Sequence, residues 1–261
     1  MLQFQENTLR GQTPMAKEED ACRYRPIRLK GVAHGLCEHC GVKQFAVCGA
    51  LEPRCAARLR SLISSIHLTP KQVLFVEAEP AAHHFTIVDG VISISKSLAD
   101  GRRQIVGFMF PGDFLGVADE ALYSCTAQAV TPVELCRFPR SSFNALAEEC
   151  PEIEHRLLHA VSTELVEAQE HMLILGRQSA EERLSSFLIH LGKRAPHRGE
   201  PDSPVRLPMS RGDIGDYLGL SLETVSRTFT VLRDHGLIKL TDAHTVEMLD
   251  RDQLLLMAEG A

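Results

Sequence analysis

The spacing of apolar residues changes along the chain, and its first regular stretch alternates between apolar and polar positions. Between residues 73 and 138, short runs such as Phe85-Thr-Ile-Val and Val91-Ile-Ser-Ile-Ser follow a period of two. Turn signals separate the runs: Asp89-Gly90, Asp100-Gly101 and Pro111-Gly112-Asp113. Alternation with regularly spaced turns is typical of antiparallel strands. The pattern predicts an antiparallel β-roll within residues 51–150, opened by a helix from Arg54 to Ser64 behind Pro53.

After Pro151 the period becomes helical. Apolar residues recur at intervals of three and four, at Ile153, Leu157, Val161, Leu165, Ala168, Met172 and Leu175. Such a seam, about three heptads long, fits either a core helix lying on the roll or a helix paired with its own copy. Its length and the acidic flank of Glu164, Glu167 and Glu170 favour the second interpretation. We therefore predict a dimerisation helix over residues 151–178.

The last third of the chain carries the signals of two short helices around a tight turn. A helix over Ala180–Arg194 and a breaker-rich loop come first. Ser210 then caps a helix over Arg211–Leu218, Gly219 ends it, and Ser221 caps a second helix to about Asp234. This arrangement is typical of a helix-turn-helix. With a two-stranded wing predicted from residues 237–248, residues 179–261 form a winged helix-turn-helix, and the whole chain an α+β protein.

The outer face of the second helix carries side chains suited to base edges. Arg227 can donate two hydrogen bonds to guanine, and Glu223 can accept one from cytosine. The alternative is that Glu223 and Arg227 form an ion pair on a solvated face. Arg211, at the start of the first helix, is better placed for a phosphate. The predicted DNA contacts are Arg211, Ser221, Glu223, Thr224, Ser226 and Arg227.

The cysteines are concentrated near the N-terminus. Four of the eight, Cys22, Cys37, Cys40 and Cys48, fall within the first 50 residues. This clustering favours a metal or redox site over a disulfide framework. Cys37, Cys40 and Cys48 place three soft ligands within 12 residues, which favours an iron–sulfur cluster or zinc over hard ions, and the fourth ligand of a four-thiolate site must come from elsewhere in the chain. We predict a disordered lead over residues 1–20 and a cysteine-rich loop over residues 21–50.

Composition restricts the class of protein but does not indicate its function. With 44% hydrophobic and 24% charged residues, the chain has an ordinary globular composition. Its net charge of −6 is uneven, because residues 177–239 hold ten Lys and Arg against eight Asp and Glu. A mildly basic module on an acidic body suits a DNA-binding protein. Without a long apolar run or signal sequence, we expect a cytoplasmic protein with no membrane partner. No Cys or His spacing suggests a nucleophile and its base, so we expect no enzyme.

The run from Met209 to Arg227, Met-Ser-Arg-Gly-Asp-Ile-Gly-Asp-Tyr-Leu-Gly-Leu-Ser-Leu-Glu-Thr-Val-Ser-Arg, closely resembles the DNA-binding motif of the FNR branch of the CRP/FNR regulators. Two further stretches also resemble that family: Ala180-Glu-Glu-Arg-Leu and Gly107-Phe…Pro111-Gly-Asp-Phe-Leu-Gly. The resemblance as a whole covers roughly Cys37 to the C-terminus. The resemblance implies binding of double-stranded DNA at inverted TTGAT repeats. Arg227 would contact the guanine, Glu223 the paired cytosine and Ser226 a neighbouring base. The cyclic-AMP branch typically has Gly at the position of Ser226.

The resemblance also suggests what the β-roll and the cysteine-rich loop could bind. Tyr123 and Ser124 stand where the cyclic-AMP branch has an Arg-Ser pair, and no Lys or Arg occurs between Arg103 and Arg137. A phosphate clamp needs such a cation, so we expect no cyclic nucleotide. The resemblance implies instead an oxygen-labile 4Fe–4S cluster on Cys37, Cys40, Cys48 and Cys136. Cys125 is the competitor for the fourth ligand, Cys22 and Cys55 are weaker candidates, and Cys150 is interpreted as a packing cysteine.

The resemblance further implies that the intact cluster would favour the dimer and DNA binding, and that oxygen would convert it to 2Fe–2S and release the dimer. The seven-residue gap between Cys40 and Cys48 resembles that of FnrN-like and some FixK-like members but departs from the gap of the enterobacterial type, which leaves oxygen sensitivity open. An acidic residue that holds the apo protein monomeric aligns with Glu170, so like charges would repel across the dimer. RNA polymerase is the expected further partner. The alternatives are a regulator of the same architecture that senses through haem, zinc or thiols, and an iron–sulfur electron-transfer protein. The predicted dimer contacts are Ile153, Leu157, Val161, Leu165, Glu170 and Met172.

Overall fold

The computed structural model describes residues 28–32, 37, 40–49, 51–117 and 121–260. The predicted disordered lead and Cys22 lie outside the described residues. Within that part of the chain, no helix has the length and apolar character needed to cross a membrane.

The predicted β-roll is present as two antiparallel sheets. Its strands are β1 (Arg28–Val32), β2 (Ser64–Leu68), β3 (Val73–Phe75), β4 (His83–Asp89), β5 (Ile92–Ser97), β6 (Arg103–Met109), β7 (Phe114–Leu115), β8 (Thr126–Ala129) and β9 (Val133–Pro139). One sheet has the order β1-β2-β9-β4-β7 and the other β3-β8-β5-β6. Apolar side chains from both sheets meet in the core, among them Ile66, Ile87, Ile92 and Leu135. The ring of Tyr123 stacks on Phe75 with 3.9 Å between centroids, so it belongs to this core.

The start of the roll differs from the prediction. Helix α1 spans Pro53–Leu62, and Ser64 begins strand β2 instead of ending the helix. Strand β1 lies inside the segment predicted as a loop and pairs with β2. Short strands of this kind depend on a partner far along the chain, and the local pattern carries little signal for them.

Two helices follow the roll and join a second core. Helix α2 spans Arg140–Glu149 and α3 spans Pro151–Arg177, with Cys150 between them. Phe138, Phe143 and Leu146 are buried with Leu59 of α1 in this core. Helix α3 is the predicted long helix, and Pro151 at its first position has the fixed φ that helix starts accept.

The predicted seam of α3 is corrected at its N-terminal end. Ile153 is fully buried in the protomer's own core and Leu157 packs partly against it, so Ile153 is not available to a partner. Six large apolar residues of α3 are exposed, and four of them, Leu158, Val161, Leu165 and Met172, are again spaced by three, four and seven residues; the other two are Val166 and Leu173. The first four lie on one face of the helix, with Leu158 in the place that the sequence analysis gave to Leu157.

The C-terminal domain has the predicted winged helix-turn-helix order. It contains α4 (Ala180–Arg194), a short 3-10 helix (Ala195–Arg198), β10 (Val205–Arg206), α5 (Arg211–Leu218), α6 (Leu222–Asp234), β11 (Ile238–Asp242), β12 (Thr245–Met248) and α7 (Arg251–Ala258). The wing has three strands, in the order β10-β12-β11, instead of the predicted two. Strand β10 is only two residues long, but its Val205 is buried in the domain core.

Candidate functional site: the recognition helix and the cysteine pocket

The two helices of the predicted DNA-binding motif begin at side-chain caps. The Ser210 hydroxyl accepts a hydrogen bond from the Asp213 N–H at 3.1 Å, and the Ser221 hydroxyl accepts one from the Thr224 N–H at 3.1 Å. Gly219 has φ +64°, the left-handed conformation that ends α5 and turns the chain into α6. Side chains with a Cβ disfavour this conformation, so the turn depends on glycine here.

The outer face of α6 presents the predicted base contacts. Glu223, Ser226 and Arg227 are all exposed, while Val225 and Phe229 are buried on the opposite face. Hydrogen bonds from its own backbone N–H and from the Ser221 hydroxyl lower the pKa of Glu223. Glu223 is therefore an ionised acceptor at neutral pH, as an interaction with the cytosine amino group requires. The hydroxyls of Ser221 and Thr224 lie 3.1 Å apart at the same helix end.

Arg211, which was predicted to contact a phosphate, is packed against an aromatic ring of α6. Its guanidinium carbon is 3.4 Å from the centroid of the Phe229 ring, and burial lowers its pKa. This stacking holds the side chain against α6 and fixes the start of α5 on the recognition helix.

Two arginines connect the winged domain to the rest of the protein. Arg103 of β6 donates to Asp213 at 2.9 Å and to Asp216 at 2.6 Å, both on α5. Arg194 of α4 donates to both carboxylate oxygens of Asp113, at 2.6 and 2.8 Å, and to Glu167 of α3 at 3.2 Å. The orientation of the helix-turn-helix thus depends on contacts with both the roll and the long helix.

Four thiols meet at a cavity beneath α1. The cavity has a volume of about 260 Å³, and its lining includes Cys37, Cys40, Cys48 and Cys136. The first three come from the N-terminal segment and Cys136 from strand β9. Apolar side chains such as Leu59, Ile63 and Phe138 form most of the remaining wall.

Electrostatics at this cavity follow from the closeness of the thiols. Burial raises the pKa of Cys136 to about 12, and the neighbouring Cys37, Cys48 and Cys40 add to the shift. Burial, then Cys40 and Cys37, raises the pKa of Cys48 to about 11. The thiols of Cys48 and Cys136 are therefore protonated at neutral pH, and binding a metal centre there would release their protons.

The donor set and the cavity fit an iron–sulfur cluster. Thiolates are the ligands of such clusters, and an apolar wall limits access of water. The described residues include no group of three or more His, Cys, Asp or Glu side chains arranged to hold a single metal ion. A four-iron cluster is larger than one ion, so its ligands stand farther apart around a cavity. One buried polar atom on the wall, Thr86 Oγ1, has no hydrogen-bond partner in the described structure.

The other cysteines are placed elsewhere. Cys125, the competing fourth ligand, packs partly against the core of the roll, and its charged neighbours are Glu164, Lys96 and Glu77. Cys55 and Cys150 form a disulfide with 6.2 Å between their Cα atoms. The interpretation of Cys150 as a packing cysteine is therefore wrong. The two residues lie 95 positions apart, and no local pattern predicts that pairing.

The cysteine segment also contacts the long helix. Arg156 of α3 donates a hydrogen bond to the carbonyl oxygen of Ala46 at 3.2 Å. A second cavity, with Phe45, Gly112, His155 and His159 on its wall, lies between this segment, the roll and α3. A change at the thiols therefore has a short physical route to the long helix.

The fold and the recognition helix together define a DNA-binding transcription regulator with an N-terminal β-roll domain. Comparison with known proteins agrees: a "Cyclic nucleotide-binding domain" family matches residues 65–150, and a "Crp-like helix-turn-helix domain" family matches residues 182–257. The chain belongs to the CRP/FNR family of transcription regulators.

Individual relatives support the assignment. The chain is 38% identical to the nitrogen fixation regulation protein FixK of Bradyrhizobium diazoefficiens, over 78% of this chain and 86% of the relative. It is 42% identical to the transcriptional activatory protein AadR of Rhodopseudomonas palustris, over 77% of this chain and 85% of the relative. The structure of FixK2 from Bradyrhizobium japonicum matches with a TM-score of 0.70 and 33% identity, over 75% of this chain and 96% of that one.

Proposed function

We propose that this protein is an oxygen- or redox-responsive activator that binds TTGAT-N₄-ATCAA-like DNA as a homodimer when it holds a 4Fe–4S cluster. The observation that carries the proposal is the convergence of Cys37, Cys40, Cys48 and Cys136 on one cavity. RNA polymerase is the further partner of such an activator, and no cyclic nucleotide is required.

The four thiols would hold the cluster, which when bound supplies a redox-active, oxygen-sensitive centre. The chain provides its surroundings. Lys43 and Arg60 act on the thiol of Cys37 in the direction that lowers its pKa, against the larger effect of burial. These two cations therefore favour the thiolate form that a metal centre requires.

The dimer surface supports the second part of the proposal. Leu158, Val161, Leu165 and Met172 form an exposed apolar stripe on α3. Contiguous exposed apolar side chains at heptad spacing mark a helix that pairs with another. Because Arg156 connects α3 to the cysteine segment, the state of that segment can bias the position of the stripe. Glu170 is exposed on the same helix but lies about 140–180° around it from Val161, Leu165 and Met172, on the wall of a cavity it shares with His190 of α4. Repulsion between the two Glu170 side chains of a dimer therefore stays an expectation from the family resemblance.

The two-fold symmetry of a dimer places one recognition helix in each half-site. Arg227 would form a bidentate contact with guanine, Glu223 would accept from cytosine, and Ser226 would contact the adjoining base. The exposure of all three side chains on α6 supports these roles.

A second candidate is sensing by thiols alone. The Cys55–Cys150 disulfide favours it, because a protein that binds DNA works in a compartment where disulfides are usually transient and redox-sensing. Under this candidate the four pocket cysteines would carry no iron.

Anaerobic reconstitution with iron and sulfide tests the proposal. We expect about four irons per chain in the wild type, and loss of the cluster when Cys37, Cys40, Cys48 or Cys136 is replaced by Ser. Cys125→Ser is the matched control and should keep the iron. Iron content, absorbance and DNA affinity are measured on the same samples before and after exposure to air.

Two outcomes would overturn the proposal. A wild type that binds DNA equally well with and without iron would favour the thiol candidate. Loss of the cluster in Cys125→Ser but not in Cys136→Ser would show that the fourth ligand is wrong.

A further inference from the structure

Thr86 is an unusual residue for its position. It lies on β4 with 2% of its surface exposed, and it lines the thiol cavity. Its Oγ1 atom is buried and has no hydrogen-bond partner among the described residues. Buried hydroxyls are nearly always hydrogen-bonded, since an unpaired one loses its interaction with water without compensation.

The surroundings of Thr86 are those of an apolar residue. Its neighbours on the cavity wall include Val88, Leu59 and Phe138. Valine has the same shape as threonine and would fill the same space without an unpaired hydroxyl. The cost to the folded chain therefore calls for an acceptor that becomes available only in another state of the site.

The sheet register places Thr86 beside one particular thiol. Thr86 of β4 and Cys136 of β9 are directly paired in the antiparallel ladder. Side chains of such pairs lie on the same face of the sheet with Cβ atoms about 4.5–5.5 Å apart. The Thr86 side chain thus lies beside that of Cys136, although its hydroxyl makes no hydrogen bond to the Cys136 thiol in this structure.

We propose that the Thr86 hydroxyl donates a hydrogen bond to the Cys136 sulfur when that sulfur is a cluster ligand. This inference rests on the proposed function, since it requires a metal centre on Cys136. A ligating thiolate carries negative charge and accepts a stronger hydrogen bond than a neutral thiol. Hydrogen bonds to ligand sulfurs stabilise the more reduced, more negative state of a cluster and so raise its reduction potential. Thr86 is on this account a positioning and tuning residue.

The test compares Thr86→Val, which removes the hydroxyl and keeps the shape, with Thr86→Ser, which keeps the hydroxyl. Iron content is measured first, on anaerobically reconstituted full-length protein. Melting temperatures are then measured with and without the cluster, and the reduction potential is measured by spectroelectrochemical titration. Thr86→Ala serves as a second hydroxyl-free variant if Thr86→Val fails to fold.

We expect opposite effects in the two states. Without the cluster, Thr86→Val should melt higher than the wild type, because it removes an unpaired buried hydroxyl. With the cluster, that gain should shrink or reverse, and the reduction potential should shift to a more negative value. Thr86→Ser should keep a potential close to that of the wild type.

Other results separate the two proposals. If the wild type assembles no cluster, the proposed function fails, and this inference fails with it. If the wild type assembles its cluster, but Thr86→Val has an unchanged potential and the same gain in stability in both states, only the role of Thr86 is refuted.

Discussion

Leu165 offers the sharpest test of the dimer surface. Its side chain is 57% exposed, in line with Leu158 at 66% and Met172 at 64%. Burying a whole leucine side chain is worth about 1.5–3 kcal/mol, so the exposed part of Leu165 can contribute about 1–1.5 kcal/mol on pairing. Two-fold symmetry doubles this contribution. Leu165→Ala should therefore weaken the dimer by about 2–3 kcal/mol, which is on the order of 30–150-fold in Kd.

Sedimentation velocity over a range of concentrations measures this Kd on cluster-loaded protein. Val166→Ala is the matched control, because Val166 is 53% exposed but lies about 100° around the helix from Leu165. We expect the control to dimerise like the wild type, and circular dichroism to show both variants folded. If the two variants weaken the dimer equally, or if Leu165→Ala changes Kd by less than about threefold, the stripe on α3 is not the dimer contact.

Three further predictions concern the DNA-binding domain and its attachment. Arg227→Ala should lower affinity for a TTGAT palindrome by about 1–3 kcal/mol per half-site and remove the preference for its guanine, measured by competition binding at fixed salt; an unchanged preference would refute the base contact. Arg194→Ala should lower the melting temperature more than Asp113→Asn combined with Arg194→Gln, because it leaves the half-buried carboxylates of Asp113 and Glu167 both without their guanidinium partner, whereas the double variant leaves only that of Glu167; calorimetry on both variants checks this order. Burial, then Arg194 and Lys193, lowers the pKa of His190 from 6.5 to about 4. Between these pH values His190 is therefore protonated in the unfolded chain and neutral in the folded chain. Stability should therefore fall as pH decreases from 6.5 towards 4, and less steeply in His190→Gln, as followed by thermal melts across that range.

The parts of the fold that sequence reasoning recovered are those with local signals. The capping residues Ser210 and Ser221 and the turn residue Gly219 each act within three or four positions, so the helix-turn-helix was predicted to the residue at its start. The alternation along the roll and the heptads of α3 are likewise properties of short windows. For the site, the exposed face of α6 followed from helical periodicity alone.

The parts that were missed depend on contacts between distant residues. The helical period places Ile153 in the same row as Val161, and only the packing of α1 and α2 shows that Ile153 is covered. The pairing of Cys55 with Cys150 and the bridges from Arg194 depend on the folded arrangement of whole elements. The choice of Cys136 over Cys125 came from resemblance, since spacing cannot rank a cysteine within β9 against one that directly precedes β8.

The Cys55–Cys150 bond has a consequence for the connectivity of the sensor domain. It closes a covalent ring that contains strands β2 to β9 and helix α2. While that bond is intact, a single cut in any loop of the ring turns the chain into two polypeptides that stay joined. On a gel without reductant the nicked protein would migrate as one species, and adding a thiol would split it. The backbone of the roll can therefore be cleaved while both fragments stay covalently joined to α3 and the C-terminal domain.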